Sequence, residues 1–353
     1  MESLQGLDSL IIEGASRRGD VGGIRVSSNS GIQVDAGETR FVLDPKGAVR
    51  ADYIFVSHAH LDHMHNPARN ERVIASEETS DLAKARGYDL GRTTEEVEGV
   101  ELLDSGHILG SRAIKIDDEV YYTGDASGRE RAFLGKCRTR RARILIMETT
   151  YGSPEYVFPQ TAKLVRDVNG LIGSAFDRGR PVVLMGYPLG KAQLLAYYFS
   201  SWEPLFFHDS VAAMNKIHVD HGIPLKAGRR FNPSEDADTL PSGPWVMVAP
   251  MSSGRSHLMS HLRNRYGAIL VAFSGWAIKG GYSSSLDADY SFPLSDHCDY
   301  AELIKLVEAV SPETVYTTHG FATEFASDLR RMGFSARTLS AYQSSLSDYE
   351  TGD

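Results

Sequence analysis

The sequence predicts an α/β protein built in two parts, and three features carry that reading. Residues 10–56 alternate short apolar runs with Gly, Asp and Ser turns, the pattern of a β-rich start. From about residue 160 onward the character changes, and apolar strand-like runs alternate with helical stretches. At 353 residues the chain is long for one domain and comfortable for two.

In order along the chain, residues 31–34 and 40–44 read as early strands, and 51–56 as a buried strand. Residues 77–86 read as a helix, followed by strands near 97–103, 112–116, 119–123 and 144–148. Residues 160–178 have amphipathic helical spacing, 181–186 read as a strand and 191–199 as a helix, and the alternation continues to about residue 273. A helix over 296–310, a strand over 314–318 and a helix over 325–332 close the pattern. The tail 343–353 is polar and is expected to be flexible.

Composition narrows the class. Hydrophobic residues at 42% and charged residues at 24% are ordinary soluble values. No apolar run reaches membrane-spanning length and the N-terminus lacks a secretory leader, so a cytoplasmic protein without a membrane partner is expected. Two cysteines, Cys137 and Cys298, argue against a disulfide scaffold and fit a reducing interior. A formal net charge of −9 argues against a generally basic nucleic-acid coat but leaves room for local basic tracks.

The run Ser57-His58-Ala59-His60-Leu61-Asp62-His63 puts four metal-binding side chains within six positions at the end of a strand. In extended backbone His58 and His60 point the same way, while Asp62 and His63 point elsewhere. Such a pattern can serve two adjacent ions, with nitrogens suited to zinc and a carboxylate to complete a second site. The plainer reading, a histidine-rich surface loop, is weakened because further ligands stand at other strand ends. These are His107 in a glycine-flanked loop, Asp125 after residues 120–124, and His319 after 314–318. Asp44, ending an early strand, is a natural partner to orient a ligand histidine. Each of these alone reads more often as a packed or solvated residue; their joint order is the signal.

That order resembles the metallo-β-lactamase superfamily, and more closely its β-CASP nucleases: Asp44, then His58–His63, a lone His107 and a lone Asp125. An acidic residue, Glu148, an inserted cap and two later histidines, His297 and His319, follow as in the family. The resemblance spans about residues 10–342. It implies an αββα sandwich whose first part is 1–165 and whose closing part is 286–342, with a β-CASP α/β cap at 166–285 and the tail 343–353 outside both. Residues 149–159 are similar to the DNA cross-link-repair nucleases. Residues 186–193, Ser274-Gly275-Trp276 and Ser295-Asp296-His297 are similar to the ligase-associated DNA exonucleases, a group also labelled mRNA 3′-end processing factors. His319 departs from the eukaryotic cross-link-repair enzymes, which usually carry an apolar residue there. Histidine at this position is typical of the RNA-cleaving branch and occurs in the ligase-associated group too.

The resemblance implies two zinc ions, with manganese as an alternative or companion. His58, His60 and His107 would hold one, Asp62, His63 and His319 the other, and Asp125 would bridge them. Asp62, Glu148 and His297 form the implied catalytic set: water activated between the ions attacks phosphorus, and His297, kept charged by Glu148, protonates the leaving oxygen. Tyr187, Gly190 and Lys191 sit in a strand-to-helix loop suited to phosphate, and Ser252, Ser253 and Gly254 in a second one. Arg138, Arg140 and Arg141, within an arginine-rich stretch from Arg129 to Arg143, suggest a strand track; Lys226, Arg229, Arg230, Arg255, Arg263 and Arg265 suggest another. Tyr187 and Trp276 could stack bases.

The function expected is therefore a zinc-dependent DNA exonuclease of repair. It would act 5′ to 3′ on single-stranded DNA or DNA ends, beside a DNA ligase and a helicase. The alternative is a ribonuclease of the same fold that processes RNA ends. A non-catalytic binding subunit is disfavoured because every ligand is retained. A small-molecule lactamase or thioesterase is disfavoured by the cap and the late Ser-Asp-His.

Overall fold

The computed structural model describes residues 19–339 apart from 22, 29 and 68–70, so the tail 343–353 lies outside the described residues. Two sheets pack face to face. The first has seven strands in chain order, from Gly19–Val21 through Ile24–Ser28, Ile32–Ala36, Thr39–Leu43, Tyr53–Phe55 and Val73–Ile74 to Thr93–Thr94. Its first four strands form an antiparallel meander, and the rest pair in parallel. The second sheet has six strands in the order Ala336–Thr338, Thr314–Thr318, Ile144–Glu148, Val120–Tyr122, Arg112–Ile116, Val100–Asp104. Thr314–Thr318 pairs in parallel with Ile144–Glu148 over five residues, which brings the late part of the chain back beside the early part.

Alternation along these strands builds the sandwich. Val34, Phe41 and Phe55 of the first sheet share a core with Ile114, Tyr122 and Ile146 of the second. The neighbouring residues Tyr121, Leu145 and Met147 face the other way, where helices Tyr300–Val310 and Ala322–Arg331 cover them with Leu303, Val307, Phe325 and Leu329. Helix Glu77–Ala85 covers the outer face of the first sheet with Leu82 and Ala83. This is the αββα sandwich expected.

The third sheet is wholly parallel. Its six strands run in the order Arg229–Phe231, Leu205–His208, Val246–Pro250, Val182–Gly186, Ile269–Phe273, Tyr290–Phe292. Its central strands are buried on both faces, so they read as continuous apolar runs, such as Val182-Val183-Leu184-Met185. Helix Thr161–Phe176 packs Leu164, Val168 and Ile172 on one face, and helix His257–Tyr266 packs Met259 and Leu262 on the other. Leu189 and Met214 from this part join the core beneath helix Glu77–Ala85, so the third sheet's elements dock directly on the sandwich.

Several elements start a few residues away from where the sequence pattern predicts, and one helix is shifted most. The helix expected from residue 296 begins at Tyr300, because Asp299 caps it: its carboxylate accepts from Glu302 N at 2.9 Å, and Glu302 returns a bond to Asp299 N at 2.9 Å. Residues 296–298 are thereby left as a loop, and His297 is not a helix residue.

Candidate metal centre

The site forms where strand ends from both sandwich sheets meet. Two of its non-glycine residues, Asp44 and His319, take left-handed backbone with φ of 45° and 59°. Strain of this kind costs roughly 1–3 kcal/mol and persists only where surroundings enforce it. Gly320, directly after His319, lies against Thr150; a Cβ there would sit 2.5 Å from Thr150 Cα.

Four groups converge, His58, His107 and Asp125 buried and His60 half-buried. His60 Nδ1 lies 3.1 Å from His58 Nε2 and 3.1 Å from His107 Nε2, and Asp125 Oδ2 lies 3.5 and 3.6 Å from the latter two nitrogens. The opposite nitrogen of each ring is tied from outside. Ser57 Oγ gives its proton to Asp44 at 2.7 Å, so it accepts from His58 Nδ1 at 2.9 Å. His60 Nε2 donates to Leu189 O at 3.2 Å and His107 Nδ1 to Asp296 O at 2.9 Å, since a carbonyl can only accept. The three inward nitrogens therefore present lone pairs to one another. Burial, with the neighbouring histidines, holds His58 and His107 well below the usual imidazole range, and burial lowers His60 to about 4. Neutral rings with facing lone pairs, closed by a carboxylate, suit a cation. Tetrahedral zinc at its usual bond lengths would space such ligands about 3.3 Å apart.

A second set adjoins the first. His63 Nδ1 donates to Asp44 Oδ2 at 2.9 Å, which turns His63 Nε2 towards Asp125 Oδ2 at 3.5 Å and Asp62 Oδ2 at 3.6 Å. The His319 ring lies 5.5 Å from that of His63, and His319 Nδ1 is buried with no hydrogen-bond partner among the described residues. A cation would satisfy that nitrogen. Burial works against a charge on His63, but Asp125, Asp62 and Asp44 outweigh it and raise its pKa to about 10.

Beside Asp125 stands the pair Glu148–His297. His297 Nδ1 is 3.0 Å from Glu148 Oε1 and 4.0 Å from Asp125 Oδ2. Glu148 is 1% exposed and also accepts from Ala126 N at 3.1 Å and Thr150 N at 2.9 Å. Burial alone would favour a protonated carboxyl, but His297 and Thr150 hold it below the ordinary value. Burial likewise opposes a charge on His297, and Glu148 and Asp125 outweigh it to bring its pKa to about 9. The ring is 14% exposed, towards a cleft also lined by Asp62, Tyr151, Tyr187, Lys191 and Trp276.

The residues expected to grip substrate divide. Tyr187, Lys191 and Trp276 line the cleft. The loop amides do not fit the expectation: Gly190 N donates to Gln193 Oε1 at 2.7 Å and Gly254 N to Leu286 O at 2.7 Å, so both are already used. Ser252 and Ser253 are absent from the cleft lining, and Ser253 Oγ accepts from Arg255 N at 3.2 Å. The Lys191 ammonium is 2.8 Å from Asp296 Oδ1, both side chains almost wholly buried.

The arginine tracks need correction too. Arg138 pairs with Asp104 and Arg140 with Glu101, on the edge strand Val100–Asp104, while Arg141 is exposed outside the cleft lining. Arg129 binds Asp299 and Glu302. Arg131 is buried and donates to Ser295 O, Gly106 O and His107 O, stapling the His107 and His297 loops together. On the other track Lys226, Arg230, Arg263 and Arg265 pair with Glu203, Asp209, Asp287 and Asp238. Counting basic residues missed the acids that fold back onto them. Arg86, Tyr151 and Asp296 also line the cleft without being expected there; Tyr151 and Asp296 carried a signal, since they fall within residues 149–159 and Ser295-Asp296-His297, and Arg86 carried none.

Residues 290–339 match the family described as the Zn-dependent metallo-hydrolase RNA specificity domain. A probable DNA ligase of Opitutus terrae is 36% identical over 299 residues, covering 80% of this chain and 28% of that protein. An RNase J-like protein of Methanocaldococcus jannaschii is 28% identical over 202 residues, covering 48% of this chain and 47% of that one. The DNA cross-link repair 1A protein of Mus musculus is 24% identical over 301 residues, covering 75% of this chain and 28% of that one. The chain belongs to the metallo-β-lactamase superfamily, in its β-CASP branch. It spans less than half the length of each of these relatives.

Proposed function

We propose that the chain is a metal-dependent nuclease that hydrolyses DNA phosphodiesters from an end, 5′ to 3′ on single strands, in cytoplasmic DNA repair. The observation that carries this reading is the meeting of two groups in one cleft: the His58–His60–His107–Asp125 cluster and, 4.0 Å from Asp125, the His297–Glu148 pair. Two zinc-class ions, the second held by Asp62, His63 and His319, would acidify a water and offset charge on the phosphate. His297 commits Nδ1 to Glu148, so Nε2 is the atom left to protonate the leaving oxygen. Tyr187 and Trp276 offer aromatic faces for a base, worth about 1–3 kcal/mol each in single-strand binding. On this reading the third sheet with its helices acts as the cap over the sandwich, reaching from Thr161–Phe176 to Tyr290–Phe292 and so a few residues past the expected 166–285 at either end. Likeness to a probable DNA ligase and to a DNA cross-link repair protein favours DNA, with a ligase and a helicase as working partners.

A ribonuclease of the same geometry is the second reading, favoured by the RNA specificity match over 290–339 and by the RNase J-like relative. Single-stranded DNA and RNA of one sequence, labelled at either end and incubated with zinc or manganese, separate the two. We expect DNA shortened from its 5′ end to mononucleotides. Much faster loss of RNA replaces the DNA reading, and no cleavage of either with any metal ends both.

A further inference from the structure

The turn between strand Val182–Gly186 and helix Lys191–Tyr198 belongs to the third sheet, yet it touches the metal cluster itself. His60 Nε2 donates to Leu189 O at 3.2 Å, so this carbonyl decides which nitrogen of His60 faces the cluster. Gly190 has φ +91°, and a Cβ on it would meet Ile108 Cγ2 at 2.5 Å and lie 3.7 Å from His60 Nε2. Only a glycine lets the turn come this close. The next residue, Lys191, binds Asp296 Oδ1 at 2.8 Å with the two side chains 3% and 4% exposed. Asp296 in turn lends its carbonyl to His107 Nδ1 at 2.9 Å. The turn is internally braced: Gln193 accepts from Gly190 N at 2.7 Å, donates to Pro188 O at 3.0 Å and reaches Asn215 at 3.0 Å.

Two of the three histidines thus take their orientation from one small assembly, His60 from the turn and His107 from the loop to which the turn is bolted. A buried ion pair contributes little net stability, because desolvation offsets attraction, but it fixes geometry when both partners are present. Losing a partner that orients a metal-binding histidine typically costs roughly 10- to 100-fold in metal affinity.

We propose that the Pro188–Lys191 turn is a positioning element of the metal centre. In it the buried Lys191–Asp296 pair is the latch that holds the Leu189 carbonyl on His60 and the Asp296 carbonyl on His107. Lys191 is a positioning residue here, not a phosphate grip. Metal binding and docking of the turn then favour each other reciprocally. This rests on the reading of His58, His60, His107 and Asp125 as metal ligands.

The test uses the full chain and zinc alone. Zinc affinity is measured by competition with a chromogenic chelator for wild type, Lys191→Met and Lys191→Met/Asp296→Asn; the double variant removes the buried charge that the single one strands. We expect the tighter site to weaken roughly 10- to 100-fold in each variant that folds. In wild type, zinc added to metal-free protein should slow amide hydrogen exchange at Gly190, Ala192 and Leu194. Affinity within about twofold of wild type in a folded variant overturns the latch, as does zinc uptake by wild type without added protection of the turn. If wild type takes up no zinc, the metal reading itself falls, an outcome distinct from either.

Discussion

Asp44 accepts four hydrogen bonds, from Ser57 N, Ser57 Oγ, His63 Nδ1 and Tyr122 Oη, and through them sets the direction of His58 and His63. At this scale the roles follow from which atom is already spoken for. His297 has one nitrogen committed to Glu148 and an exposed edge on the cleft. His297→Ala should therefore lower the single-turnover rate by ~10²–10⁴-fold while bound zinc, read by elemental analysis, stays near wild type. Full activity of that variant across neutral pH assigns the proton donor elsewhere. Asp125→Asn differs in kind, because Asp125 lies against both histidine sets, and it should lose zinc and activity together.

At the scale of elements, sequence pattern located strands as short apolar runs bounded by turn residues, continuous where both faces are buried, as in Ile144–Glu148 and Val182–Gly186. It misplaced the start of helix Tyr300–Val310 because Ser295 and Asp296, both plausible caps, precede the true cap Asp299. It could not show that Lys191 points at Asp296, 105 residues away, since nothing local records that contact. Helix Asp209–Asp220 holds another such residue. His218 donates Nδ1–H to Met214 O at 2.9 Å, while its Nε2 is buried with no hydrogen-bond partner among the described residues. Burial first, with His221 nearby, lowers its pKa to about 4. Folded His218 binds a proton less readily than the unfolded chain, so its contribution is whole above pH ~6.5 and is lost as pH falls towards 4. The loss at the low end is on the order of 3 kcal/mol. His218→Leu should flatten the fall in urea-melt stability between pH 7 and pH 4.5. An unchanged slope would mean His218 titrates alike in both states.

At the scale of the whole molecule, the candidate ligands come from chain segments as far apart as His58 and His319, joined because Thr314–Thr318 pairs beside Ile144–Glu148. Their order along the sequence was legible; the sheet pairing that unites them was not, since it is a contact between distant strands. Charge is the second global property. The chain carries a formal net charge of −9, and most of the basic residues in its two apparent tracks are neutralised by its own acids. Arg86 differs in place: it caps the end of helix Glu77–Ala85, lines the cleft with Asp62 and His297, and its charge reaches His60. On the proposed reading a polyanion entering the cleft would pass Arg86, whereas Arg138 and Arg140 face the edge strand's carboxylates. Each phosphate neutralised on a single strand contributes about 0.7 to the slope of log binding constant against log salt. Arg86→Ala should reduce that slope by about this amount for single-stranded DNA. Joint replacement of Arg138, Arg140 and Arg141 by alanine should leave it almost unchanged, although it makes the chain three charges more negative. Fluorescence anisotropy across a salt series, with cleavage blocked by Asp125→Asn, reads both slopes. A shallower slope in the triple variant alone would move the strand's path out of the cleft and onto the sheet edge.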